Sequence, residues 1–127
     1  MIRPLAISAS LLASCATAGF AAEFFEGAWA RTARECRNRE GPGSGVLINL
    51  SGKENGKPAP LFDQYEHHCR IENVERSAKG AKLSLLCFEF WDDYTANRDG
   101  RRESVTIAAR DRTRMKMDGK AYVRCRN

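Results

Sequence analysis

The residues in this sequence best suited to chemistry are a histidine pair and a group of carboxylates. The pair lies in Glu66-His67-His68-Cys69, and Glu89, Asp92 and Asp93 flank Trp91. Imidazoles could bind a metal or act as a base, and two carboxylates could cleave a glycosidic bond if held about 5 or 6.5–9.5 Å apart. However, the sequence contains no H-E-x-x-H motif and no G-x-S-x-G turn. We therefore expect no catalytic residue, no metal site and no cofactor.

The element that carries the histidines argues against their acting together. From Gln64 onwards the chain alternates as a β-strand does, with His67 and Cys69 on one face and His68 on the other. Neighbouring strand residues point to opposite faces, so the two imidazoles cannot bind one metal ion. We expect His67 to point inward and His68 to lie at the surface. An enzyme working through His67, or through Glu89 and Asp92, is the alternative.

Cysteines are numerous for a chain of 127 residues. Cys15 falls in an N-terminal segment that we expect to be removed or lipidated. The four others are Cys36, Cys69, Cys87 and Cys125. They form no close C-x-x-C pair of the kind found in zinc sites, and an even number is typical of an exported domain with two disulfides. Of the three possible connectivities we favour Cys36–Cys69 with Cys87–Cys125.

The N-terminal segment has the pattern of a secretory signal peptide. Arg3 precedes an uncharged stretch from Pro4 to Ala22 in which an apolar run is followed by small residues. The sequence therefore predicts a signal peptide over residues 1–22, cleavage near Ala21 or Ala22, and a protein of the periplasm or the medium. Leu12-Ala13-Ser14-Cys15 also fits a lipobox. In that alternative Cys15 is lipidated and the protein is anchored to an envelope membrane.

The remaining residues, 23–127, are enough for one domain with a small core, since 43% of the chain is hydrophobic. About seven or eight short alternating runs are separated by turn residues, and one short helical stretch is expected within Thr32 to Glu40. This pattern predicts an all-β domain, a small antiparallel barrel or sandwich.

The predicted last hairpin turns at Asp118-Gly119. We expect a type I turn with Gly119 as a bulge, which pairs Lys116 with Lys120 and places the cations on the outer face. This basic face is a candidate anion-binding surface; its residues are Arg110, Arg112, Arg114, Lys116, Lys120, Arg124 and Arg126. It could instead only prevent edge-to-edge pairing of strands. The net charge of +5 is modest, and the few interleaved aromatics do not favour nucleic acid.

An aromatic cluster precedes the carboxylates discussed above. It comprises Phe88, Phe90, Trp91 and Tyr94. We expect these rings to pack in the core. The alternative is an exposed patch that binds a partner, since aromatic side chains dominate binding hot spots.

Gly27-Ala28-Trp29 at the head of the first predicted strand resembles the G-x-W start of lipocalins and of bacterial barrel-type metalloprotease inhibitors. Trp29, the cysteine seven residues later and the terminal Tyr122-x-x-Cys125 also resemble small exported Gram-negative proteins. The resemblance implies a closed, filled barrel and a binder or hydrolase inhibitor rather than an enzyme. We thus expect an exported, non-enzymatic binding protein whose partner is a protein. The alternative partner is an anionic envelope component, bound through the basic hairpin.

Overall fold

The computed structural model describes residues 23–126. The predicted signal peptide over residues 1–22, its cleavage site and the alternative lipidation of Cys15 therefore lie outside the described residues. Asn127 lies outside them as well. Within the described part of the chain, no helix is long and apolar enough to cross a membrane.

The chain forms a closed barrel of eight antiparallel strands, in which every strand pairs with two neighbours. Around the barrel the order is β1 (Gly27–Ala30), β10 (Lys120–Arg124), β9 (Arg114–Met117), β8 (Arg101–Ala109), β7 (Gly80–Phe88), β6 (His67–Ser77), β5 (Leu61–Gln64) and β2 (Val46–Asn49). A small separate hairpin consists of β3 (Lys53–Glu54) and β4 (Lys57–Pro58). The predicted all-β class is confirmed, and the sheet closes into a barrel.

Alternate strand residues fill the barrel interior. Trp29, Ile48 and Phe62 come from successive neighbouring strands, and each is at most 1% exposed. Large apolar side chains that alternate with outward residues are what a narrow eight-stranded barrel requires, because its interior is just wide enough for side chains to fill. The interior is therefore a packed core.

The last hairpin differs from the prediction. Met117 pairs with Lys120, and Asp118 and Gly119 both have positive φ angles (49° and 79°). These angles are those of a two-residue type I′ turn, not of a type I turn with a glycine bulge. The expected register of Lys116 opposite Lys120 is therefore wrong by one residue.

This register turns Arg124 toward the barrel interior. Its Nε donates to the Arg112 carbonyl at 2.8 Å, and its two terminal nitrogens donate to the carbonyls of Glu26 (2.6 Å) and Phe24. The guanidinium also lies 4.3 Å from the centre of the Trp29 ring. A charged side chain can occupy this inward position because carbonyl oxygens and an aromatic face replace its water.

Two disulfides form, between other partners than those expected. Cys36 is bonded to Cys125 and Cys69 to Cys87, so the predicted pairing of Cys36 with Cys69 and of Cys87 with Cys125 is wrong. Cys69 and Cys87 are direct cross-strand partners in the β6–β7 hairpin. The other bridge joins segments that follow β1 and β10, which are neighbouring strands.

Short helical turns connect some strands. The expected helix within Thr32 to Glu40 is a single 3-10 turn, Glu35–Arg37, whose first amide donates to the Thr32 hydroxyl at 3.3 Å. A six-residue helix, α1 (Trp91–Ala96), lies between β7 and β8 and packs on the outside of β6 and β7. Asn97, with a φ of 52°, ends it in the left-handed conformation.

Candidate binding surfaces

A row of side chains crosses the outer face of five barrel strands. Strand register places Ala28 beside Leu47, Leu47 beside Asp63, Asp63 beside His68, and His68 beside Phe88. Their strand neighbours face the core, so these residues point away from it. This row is the floor of a surface groove of about 780 Å³, except that Phe88 lies beyond its end.

Three segments form the walls of the groove. The loop after the 3-10 turn, residues 38–41, lies on one side, and the β5–β6 turn with Tyr65 and Glu66 lies on another. Glu89, Phe90 and Trp91, at the junction of β7 and α1, complete the walls. All of these segments are connections between strands, where binding residues are most often found.

The groove gathers the exposed apolar surface of the molecule. Four large hydrophobic residues are exposed among residues 23–126: Leu47 (41%), Tyr65 (46%), Phe90 (53%) and Trp91 (46%). All four line the groove. Single exposed apolar side chains are common on protein surfaces, but a cluster of them marks an interaction site.

His68 is fixed in the groove by two contacts. Its Nδ1 lies 2.5 Å from an Asp63 carboxylate oxygen, and its ring stacks on Trp91 with centroids 3.9 Å apart. His68 is on the outward face of β6, as expected, but its side chain is only 12% exposed. The helix that brings Trp91 over the strand covers it. No hydroxyl or thiol within residues 23–126 is hydrogen-bonded to His68.

His67 lies on the opposite side of β6, as expected, and its Nε2 is 3.2 Å from Glu103. Cys69 and Cys87 complete a cluster whose ligand atoms lie within 4.8 Å of one another. Metal ions bind cysteine as the thiolate, and these two sulfurs are bonded to each other. The oxidised protein therefore presents only one imidazole and one carboxylate there.

The predicted aromatic cluster is divided by the fold. Phe90 and Trp91 are exposed in the groove. Phe88, on β7, and Tyr94, on α1, are buried against each other outside the barrel core. Arg70 holds this second pair: its guanidinium lies 4.1 Å from the Tyr94 ring centre and donates to the Tyr94 carbonyl at 2.8 Å. Burial also raises the pKa of the Tyr94 phenol. Two of the four rings are therefore buried, although outside the barrel core, and the other two are exposed.

The three candidate carboxylates, Glu89, Asp92 and Asp93, have different surroundings. Glu89 lines the groove, while Asp93 accepts a hydrogen bond from Arg98 at 2.9 Å. Asp92 lies in the first turn of α1.

Charge in the groove is opposite in sign to that of the whole chain. Glu40, Asp63, Glu66 and Glu89 line it, and Arg39 is the one Lys or Arg among the described lining residues. The negative charge of Glu66 raises the pKa of the neighbouring Tyr65 phenol. The groove is therefore acidic and aromatic on a protein with a net charge of +5.

The cations of the last hairpin do not share one face. Arg124 is turned inward, Arg114 donates to Asp111 at 2.8 and 3.0 Å, and Lys116 points outward from β9. The exposed cations of the predicted set are Arg110, Arg112, Arg114, Lys120 and Arg126.

Arginines that sequence reasoning missed lie around the 3-10 turn. Arg37 and Arg39 line a second cavity together with Arg124 and Arg126. The sequence does carry a signal, because four arginines occur between positions 31 and 39. Relating them to the C-terminal arginines requires the Cys36–Cys125 connection, which the expected pairing did not contain.

No family model, curated protein or solved structure matches this chain.

Proposed function

We propose that this chain is an exported, non-enzymatic binding protein of the bacterial envelope, and that its groove binds a segment of a partner protein carrying Lys or Arg between apolar residues. The supporting observation is that all four exposed large apolar side chains of the described residues line one groove. Apolar anchors inside a polar rim are the general composition of protein-binding sites.

The charge and the rings of the groove together favour a cationic segment. Four carboxylates line it, and Tyr65, Phe90 and Trp91 offer aromatic faces. A Lys or Arg side chain is attracted by both groups, by ion pairing with carboxylates and by cation–π contact with rings. An acidic segment would meet like charges at the same positions.

The compartment forms part of the proposal. The four cysteines of the described residues are all in disulfides, which form and persist in oxidising compartments. The predicted signal peptide over residues 1–22 agrees with export to the periplasm or the medium. Lipidation at Cys15 remains the alternative route to the envelope.

A hydrolase inhibitor is the specific form of this function that we propose. The closed, filled barrel and the Gly27-Ala28-Trp29 start support it, because the barrel-type inhibitors that this start resembles are built on such a scaffold. Serine, cysteine and metalloproteases and lysozyme form the test panel. Inhibition of one enzyme at near-stoichiometric concentration is the expected result, and no inhibition of any would contradict the inhibitor form.

The groove itself is tested with three otherwise identical peptides that carry Lys, Gln or Glu between two leucines. We expect the Lys peptide to bind most tightly and to shift the indole NMR signal of Trp91. Leu47→Ser and Phe90→Ser should each weaken binding at least fivefold, whereas Val123→Ser, outside the groove lining, should leave it unchanged. Equal binding of the Lys and Glu peptides, or an equal loss in all three variants, would contradict the proposal.

A further inference from the structure

One disulfide brings together arginines that are far apart in sequence. Cys36 and Cys125 are 89 residues apart, and their bond places Arg37 and Arg126 in adjoining segments. Arg39 and Arg124 join them around a cavity of about 570 Å³. Cys36 and Arg39 line both this cavity and the groove.

Every charged residue that lines this cavity is an arginine. The lining consists of Ala33, Cys36 and the four arginines, with no carboxylate among the described lining residues. Arg37, Arg39 and Arg126 are exposed, and none of them makes an ion pair within residues 23–126. These three guanidinium groups therefore have donors free to bind a ligand.

Arg124 plays a different part in the cavity. Three of its five N–H donors are used by the carbonyls of Phe24, Glu26 and Arg112, so its main contribution to the cavity is charge. Because it is fixed by these bonds and by the Trp29 ring, its charge is held at one side of the cavity. The three exposed arginines stay near it, since the disulfide joins their segments to that of Arg124.

We infer that this cavity binds a phosphate group. Guanidinium groups present planar pairs of donors that match phosphate oxygens, and arginine is the residue most often used for such recognition. A bound phosphate would also offset the mutual repulsion of the four arginines that the Cys36–Cys125 disulfide keeps close together. The phosphate can belong to a soluble molecule or to a lipid headgroup, and the chemistry of recognition is the same for both.

The test compares two triple variants that lose the same charge. In one, R37Q, R39Q and R126Q remove the free arginines of the cavity; in the other, K53Q, K82Q and R101Q remove exposed cations elsewhere. Titration with inorganic pyrophosphate in dilute buffer should give saturable binding to the wild type. We expect at least a tenfold loss of affinity in the cavity variant and at most a twofold loss in the control. No saturable binding, or equal losses, would overturn the inference.

Two further arms identify the source of the phosphate and the role of the bridge. In the first, the protein is sedimented with vesicles of phosphatidylcholine that contain phosphatidic acid. Co-sedimentation that is lost in the cavity variant would assign the phosphate to a lipid headgroup. Pyrophosphate binding without co-sedimentation would assign it to a soluble molecule. C36S/C125S, checked for its fold by circular dichroism, should bind pyrophosphate at least fivefold more weakly. Unchanged affinity in that folded variant would contradict the role given to the disulfide. None of these experiments uses the peptides that test the groove, so the two proposals fail separately.

Discussion

Arg124 shows how a single side chain can override a pattern. Binary patterning predicts that a cation on the last strand points to solvent, and that reasoning selected the wrong register for the hairpin. The structure places this cation inward, where three carbonyl oxygens and the face of Trp29 receive it. The order of hydrophobic and charged residues along the strand does not indicate these interaction partners. The register could not be obtained without knowing that such a pocket exists at the end of the barrel.

Arg124→Met tests this role. Methionine retains most of the apolar stem but donates no hydrogen bond, so three carbonyls and one aromatic face lose their partner. Each hydrogen bond to a charged group contributes up to about 1.5–3 kcal/mol to stability. We therefore expect the free energy of unfolding, measured by urea denaturation, to fall by about 2 kcal/mol or more. Arg101→Met, at an exposed position of β8, should change it by less than about 0.5 kcal/mol. Similar values for the two variants would contradict the structural role.

Asp111 gives a prediction about pH. The Thr113 backbone amide, 2.9 Å from the carboxylate, and the Arg114 guanidinium lower the pKa of Asp111 to about 2, from an ordinary value of 3.8. A lowered folded-state pKa means that the stabilisation is complete above pH 3.8 and is lost as the pH falls through 2. We expect an NMR titration of its carboxyl carbon to give a midpoint near 2. A midpoint near 3.8 would contradict the geometry of this turn.

Among the elements, the β6–β7 hairpin explains why the disulfide pairing was missed. The pairing of Ser77 with Gly80, continued without interruption, would place Cys69 opposite Phe88. An irregularity in the ladder between Ile71 and Asn73 shifts the register by one, so that Cys69 meets Cys87 instead. Turn residues near 77–80 are visible in the sequence, and they could have suggested that the two cysteines belong to one hairpin. The bulge that aligns them has no comparable signal.

The two disulfides should differ in their contribution to stability. The loop closed by Cys36–Cys125 spans 89 residues and that closed by Cys69–Cys87 spans 18. Loop-closure entropy then favours the longer bridge by about 1.4 kcal/mol. Each bridge is measured alone by reducing C69A/C87A, which retains the long one, and C36A/C125A, which retains the short one. Reduction should cost more stability in C69A/C87A, and the reverse order would contradict the entropic account.

At the scale of the whole molecule, the class of fold could be predicted and the position of the sites could not. Alternation and turn residues predict many short antiparallel strands, and the structure confirms them as a closed barrel with one short helix and two disulfides. The groove depends on which outer positions become neighbours across five strands. Leu47 and Trp91 line the same groove only because of strand register and the placement of α1. Such juxtapositions are set by tertiary structure and not by local sequence.

The mass of the native protein tests the expectation of export. Cleavage after Ala22 leaves a chain that begins at Glu23, and two disulfides lower its mass by about 4 Da relative to the reduced chain, since each bond removes two hydrogens. Peptide mapping should then find Cys36 linked to Cys125. An N-terminus at a lipid-modified Cys15 would show instead that the protein is a lipid-anchored lipoprotein. Free thiols in native material would contradict the two disulfides.

Because β1 pairs with both β2 and β10, the ring of backbone hydrogen bonds in the barrel has no open end. A ligand strand cannot be added to it, and one copy cannot polymerise onto another through a barrel edge. Recognition must then depend on outward side chains and on the loops that connect the strands. Such positions can be exchanged by single mutations without disturbing the packed interior, so descendants of this scaffold could acquire new specificities while their architecture stays the same.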